Sequence, residues 1–174
     1  DAQFGHLQKL EKLTDAHVHL SSKSLMRAKL ALDVLSFDVA AHLRDVIALG
    51  HREHVFLERF IFNCAQVWKL TGDGWEAPYT DADDDRFEEL DQALDWFYSW
   101  RHTVYQKSTG AQLSKDGRNH QFMSWECFYD MNLTVLGFTE LCKHYLPSAP
   151  DGCGIKTCRL SQDPVENYFN FKQP

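Results

Sequence analysis

A mainly α-helical fold is what this sequence predicts, and three observations predict it. Apolar residues recur at intervals of three and four through most of the chain. The segments carrying this spacing end on helix-stopping residues, at Gly50, at Thr71-Gly72-Asp73-Gly74 and at Pro147. Strand candidates are few and short, so no substantial sheet is expected.

In chain order, residues 1–13 form a short amphipathic lead-in. Thr14-Asp15-Ala16-His17-Val18-His19-Leu20 follows, with an Asp-x-His-x-His pattern. On a strand, residues two apart share a face, so His17 and His19 resemble the first zinc-binding pair of amidohydrolase barrels. The charged approach Gln8-Lys9-Leu10-Glu11-Lys12-Leu13 is not a buried strand, and the 174 residues fall short of such a barrel. A surface turn entering a helix is expected here, with a zinc amidohydrolase fragment as the remote alternative.

From Ser22 the pattern turns helical. Met26, Leu30, Ala31, Val34 and Leu35 repeat at three and four, and Ser36 ends this helix or caps the next. Val39, Ala40, Leu43, Val46 and Ile47 continue the period to Gly50. A helix over 54–70 carries a wide stripe of Phe56, Phe60, Ile61, Cys64, Val67 and Trp68. The loop 72–85 ends in Asp81-Ala82-Asp83-Asp84-Asp85, which lacks the calcium-loop pattern and reads as a solvated acid run at a helix N-terminus. The spacing then predicts helices over 86–105, on Phe87, Leu90, Leu94 and Phe97, and over 120–146, on Phe122, Trp125, Phe128, Tyr129, Leu133, Leu136 and Leu141. Surface loops are expected over 106–120 and 147–159.

Composition narrows the class. With 44% hydrophobic and 13% aromatic residues the chain can fill a dense core. It has no run of eighteen apolar residues, so neither a membrane span nor a membrane partner is expected. A net charge of −7 argues against an autonomous grip on nucleic acid, which needs a basic face. Of the five Cys, Cys64, Cys127 and Cys142 fall in apolar helical patterns, where buried thiols are common. Cys153 and Cys158 share a Gly-containing loop, where pairing and zinc both stay open; a reducing compartment is favoured. A chain that opens on Asp1 and stops soon after a new helix start reads as a piece of something longer.

That helix start is Leu160-Ser161-Gln162-Asp163-Pro164-Val165-Glu166-Asn167-Tyr168-Phe169. Asp163 suits the N-cap, Pro164 the first helical position and Glu166 the third, as in a capping box. The alternative is that Glu166 is a metal-binding carboxylate held at the helix entrance.

Two stretches resemble one family. Residues 25–40, with Met26-Arg27, Leu30-Ala31, Leu35-Ser36 and Val39-Ala40, are similar to the signature opening the helical insertion domain of P-element-type transposases and their THAP-domain relatives. Residues 160–169 are similar to that family's Leu-x-Gln-Asp-x-Leu-Glu-x-x-Phe, where the chain returns to an RNase H-like catalytic fold. The resemblance implies a helical nucleotide-binding insertion domain over 1–159. It implies a C-terminal helix, within 160–174, belonging to an RNase H-like α/β fold. Glu166 becomes the third catalytic acid and a metal ligand, sharing two Mg2+ ions with two upstream Asp for DNA cleavage and strand transfer. The fragment alone is then expected to be inactive.

The resemblance further implies GTP, which helps to position the DNA ends. Asp163 becomes a nucleotide contact, since a carboxylate accepts from both guanine N1–H and the exocyclic amine. Lys29 is the candidate phosphate contact. Anchored on Phe60-Ile61, the family's nucleotide-contacting Asn falls on Ala65 and its Phe-Asp pair on Trp68-Lys69. The aromatic is kept; the Asn and Asp are replaced. No Walker A motif is present, so the GTP site is not a P-loop. Transposon-end DNA, homo-oligomerisation of the parent protein and a nuclear location follow from the same resemblance. A domesticated, non-catalytic DNA- or protein-binding module is the alternative.

Overall fold

Ser36 breaks the first continuous apolar pattern into two helices. A computed structural model describes residues 13–19, 28–72, 77–110, 122–157 and 160. In it, α1 spans Asp15–Val18, α2 Ala28–Val34, α3 Phe37–Ala48, α4 Val55–Thr71, α5 Arg86–Gly110 and α6 Trp125–Tyr145. Ser36 does both jobs its position allows. Its hydroxyl donates to the Asp33 carbonyl at 3.0 Å, closing α2, and accepts from the Val39 amide at 3.5 Å, capping α3. The described residues are mainly helical and contain no strand beyond one isolated bridge.

The chain forms two compact units, residues 1–66 and 67–174. In the first, α3 stops where Gly50 takes φ +107°. Its amide bonds to Ile47 and that of His51 to Val46, closing the helix end as a Schellman motif. A 3₁₀ turn, Arg52–His54, leads into α4. The core is Val39, Ala40 and Ile61, with Leu13, Leu35, Leu43, Phe60 and Phe62 packed against it. Glu58 is buried at this core and is held by the Arg44 guanidinium, which also lies 4.8 Å from the Phe62 ring centroid. A buried carboxylate needs such a partner, because desolvation alone would disfavour its charge.

In the second unit the core runs through Leu70, Tyr79, Phe87, Leu90, Leu94, Val135, Phe138, Cys142 and Leu146. The stripe expected on α5 is buried as its spacing predicts. Two helix limits differ from expectation. Helix α5 continues to Gly110 rather than ending at Tyr105, because a helical backbone can propagate past its last apolar anchor. Helix α6 starts at Trp125 rather than near His120, because Ser124 caps it by accepting from the Cys127 amide at 3.1 Å.

The two loops read as separate are stitched together. Tyr79 and Ile155 exchange both backbone hydrogen bonds, at 2.9 and 2.8 Å. Gly154 permits this approach: a Cβ there would lie 2.8 Å from the Tyr79 carbonyl oxygen. The acid run is only partly solvated. Arg86 binds Asp84 through Nε at 2.8 Å and Nη2 at 2.6 Å, reaches the Ala77 and Pro78 carbonyls, and lies 3.6 Å above the Tyr79 ring. Cys142 is buried as expected, whereas Cys127 is exposed.

Candidate functional site

Lys29 projects from α2 in the first unit. Its side chain is 85% exposed, and its ammonium lies 3.6 Å from Asp33, one helical turn on. This pair leaves the cation accessible to an anionic ligand. Trp68 lies in the second unit, near the end of α4, and is 45% exposed. Its six-membered ring lies over Gly72, where a Cβ would come within 2.9 Å of ring carbons. The indole is thus backed by the chain while much of it faces solvent, an arrangement suited to stacking on a planar ligand.

The neighbouring positions present less. Ala65 is buried, so position 65 offers no polar group to a ligand. Asn63, the nearby amide, is also buried, and its Nδ2 donates to the Arg59 carbonyl at 2.7 Å. Lys69 is partly buried. Of these positions, only Trp68 presents a large exposed side chain, and the buried Ala65 presents no polar one. Asp163 and Glu166, like the rest of the expected RNase H-like segment except the exposed Leu160, lie outside the described residues.

His17 and His19 do not share a strand face. They lie on and just beyond the helical turn α1, because Thr14 starts a helix instead of a strand. His17 Nδ1 accepts from the Thr14 amide at 2.9 Å, which leaves Nε2 aimed at the Asp33 carboxylate 3.6 Å away. The His17 side chain is only 6% exposed, so the imidazole is packed, whereas Thr14, Asp15 and His19 around it are exposed, as expected of a surface turn. Cys153 is an exposed free thiol, and Cys158 lies outside the described residues. Among the described residues no three His, Cys, Asp or Glu side chains form a metal-binding group.

Three electrostatic settings stand out. Glu53 is held below the usual carboxylate range by a hydrogen bond from its own backbone amide and by His51. Asp84 is lowered by the Arg86 side chain, against the opposing effect of burial. The Cys142 thiol is pushed up to about 11 by burial and by nearby Asp84, so it is not a nucleophile near neutral pH.

An aromatic cluster between α5 and α6 was not legible as a site. The Arg101 guanidinium lies 5.2, 5.0 and 5.4 Å from the ring centroids of Tyr105, Trp125 and Phe128. Beside it, Tyr98 donates to Asn132, whose Nδ2 donates in turn to the Phe128 carbonyl at 2.7 Å. The aromatic spacing on each helix was visible, but their meeting around one cation depends on how the helices pack.

The chain matches no protein-family model, no curated protein and no solved structure.

Proposed function

We propose that this chain is the helical insertion domain of a P-element-type DDE transposase, running into the edge of its RNase H-like catalytic domain. The observation that carries this reading is the pair of similar stretches at 25–40 and 160–169, in family order and bracketing a helical body. Two exposed groups support it separately: the Lys29 ammonium of the first unit suits an anion, and the Gly72-backed Trp68 ring of the second suits a planar base. In the parent protein Glu166 joins two upstream Asp in holding Mg2+, which supplies the charge stabilisation for phosphoryl transfer. Transposon-end DNA is the substrate, and the parent works in the nucleus as a homo-oligomer.

The burial of Ala65 and the internal bond of Asn63 favour a second reading, a domesticated module that has lost GTP. Calorimetric titration of the chain with GTP separates the two. Heat that disappears in Trp68→Ala supports the insertion-domain reading. No heat at millimolar GTP supports the domesticated one. Catalysis is tested in the parent protein: Glu166→Gln preserves a capping box and abolishes Mg2+-dependent strand transfer if Glu166 is the third acid.

A further inference from the structure

His17 stands at the third position of α1, where a capping box usually carries Glu or Gln. Those residues accept from the N-cap amide throughout the neutral range. An imidazole accepts only while it is neutral, and its charge changes between about pH 5 and 8. Nδ1 of His17 accepts from the Thr14 amide at 2.9 Å, so the neutral ring carries its proton on Nε2. Among the described residues this buried Nε2 has no hydrogen-bond partner. It is aimed at the Asp33 carboxylate of α2, 3.6 Å away, too far for a hydrogen bond and close enough for an ion pair.

Protonation turns Nδ1 from an acceptor into a donor. The Thr14 amide then faces a second donor and must let the ring go. Two acceptors stand ready for the new Nδ1–H, the Thr14 hydroxyl at 3.2 Å and the Thr14 carbonyl at 3.3 Å. Thr14 is exposed, so water can take over its amide. At the far side of the ring, Nε2–H now carries positive charge opposite Asp33. Closing that gap to about 2.8 Å makes a charge-assisted hydrogen bond. Asp33 offers its other oxygen to exposed Lys29, also at 3.6 Å, and α1 itself adds exposed Asp15 and His19. Helices α3 and α4 meet the start of this turn through Leu13, packed on Val39, Ala40 and Ile61. Among the described residues, neither helix pairs a carboxylate with the ring.

We propose that His17 is a proton-operated switch between α1 and α2. Neutral, it closes the capping box on Thr14. Protonated, it releases the Thr14 amide and ties the turn to Asp33. The switch needs neither nucleotide nor DNA and stands apart from the functional reading above.

Nuclear magnetic resonance on the full chain, labelled with 15N and 13C, tests it from about pH 8 to about pH 5. At the upper end the His17 ring should be the Nε2–H tautomer. A scalar coupling across the hydrogen bond should join its Nδ1 to the Thr14 amide nitrogen. At the lower end the ring should be doubly protonated and that coupling lost. The Asp33 carboxyl carbon should shift with the same midpoint as the ring. His17→Gln keeps an acceptor for the capping box and removes the titrating ring. In that variant the Thr14 amide and Asp33 carboxyl signals should hold their positions across the range. A ring that is the Nδ1–H tautomer at the upper end, or still neutral at the lower, overturns the proposal. So does a Thr14 coupling that survives protonation, or an Asp33 signal that ignores the ring. A Thr14 or Asp33 transition that persists in His17→Gln overturns it equally.

Discussion

The Tyr79 hydroxyl donates to the main-chain carbonyl of Leu70 at 2.9 Å, inside the core of the second unit. Leu70 is in the last turn of α4, where carbonyls lack helical partners. One buried tyrosine thus satisfies an orphan acceptor, stacks on Phe87 at 5.2 Å and carries the bridge to Ile155.

Tyr79→Phe keeps the ring and strands the Leu70 carbonyl. It should cost about 1–3 kcal/mol of stability, the penalty of an unsatisfied buried acceptor. Chemical denaturation of the variant beside the parent chain measures this, and an unchanged midpoint would remove the hydroxyl's structural role.

Gly154→Ala forces a Cβ to within 2.8 Å of the Tyr79 carbonyl. The two-way bridge must open, with an expected loss of about 1–3 kcal/mol, comparable to overpacking. Hydrogen exchange should show faster loss of protection at the Tyr79 and Ile155 amides than at the middle of α5.

The Asp84–Arg86 pair sets a pH dependence. Asp84 is depressed in the folded state, so its contribution is present above the ordinary carboxylate range. It is lost as pH falls through the depressed value, where the folded chain must also take up the proton. Asp84→Asn should therefore narrow the stability gap between neutral and acid conditions, read as thermal midpoints across pH 7 to about 3. An identical pH profile in the variant would rule this coupling out.

Glu58 presents a choice between charge and shape. Arg44→Met leaves the carboxylate buried, with Arg59 3.7 Å from it, and should destabilise by about 1–3 kcal/mol. Adding Glu58→Gln should recover part of that loss, since the amide carries no charge to desolvate. Denaturation midpoints of the single and double variants form the cycle that measures it.

The sequence by itself determined the helical class, because periodicity three and four with Gly and Pro stops is a local property of the backbone. The stops at Ser36 and Gly50, the apolar stripe of α5 and the buried place of Cys142 were all legible this way. So was Trp68 as an aromatic on α4, though not that Gly72 backs its ring. What only the tertiary structure decided are relations between segments. His17 turned out to be a packed helical residue facing Asp33, because Thr14 capped a turn where a strand end would have been needed for a metal pair. Position 65 turned inward. Tyr79 joined two loops some seventy-five residues apart in sequence, and Arg101 drew rings from two helices around itself. Such contacts depend on which faces meet once the chain has folded, and spacing along one helix carries no information about the surface it will meet.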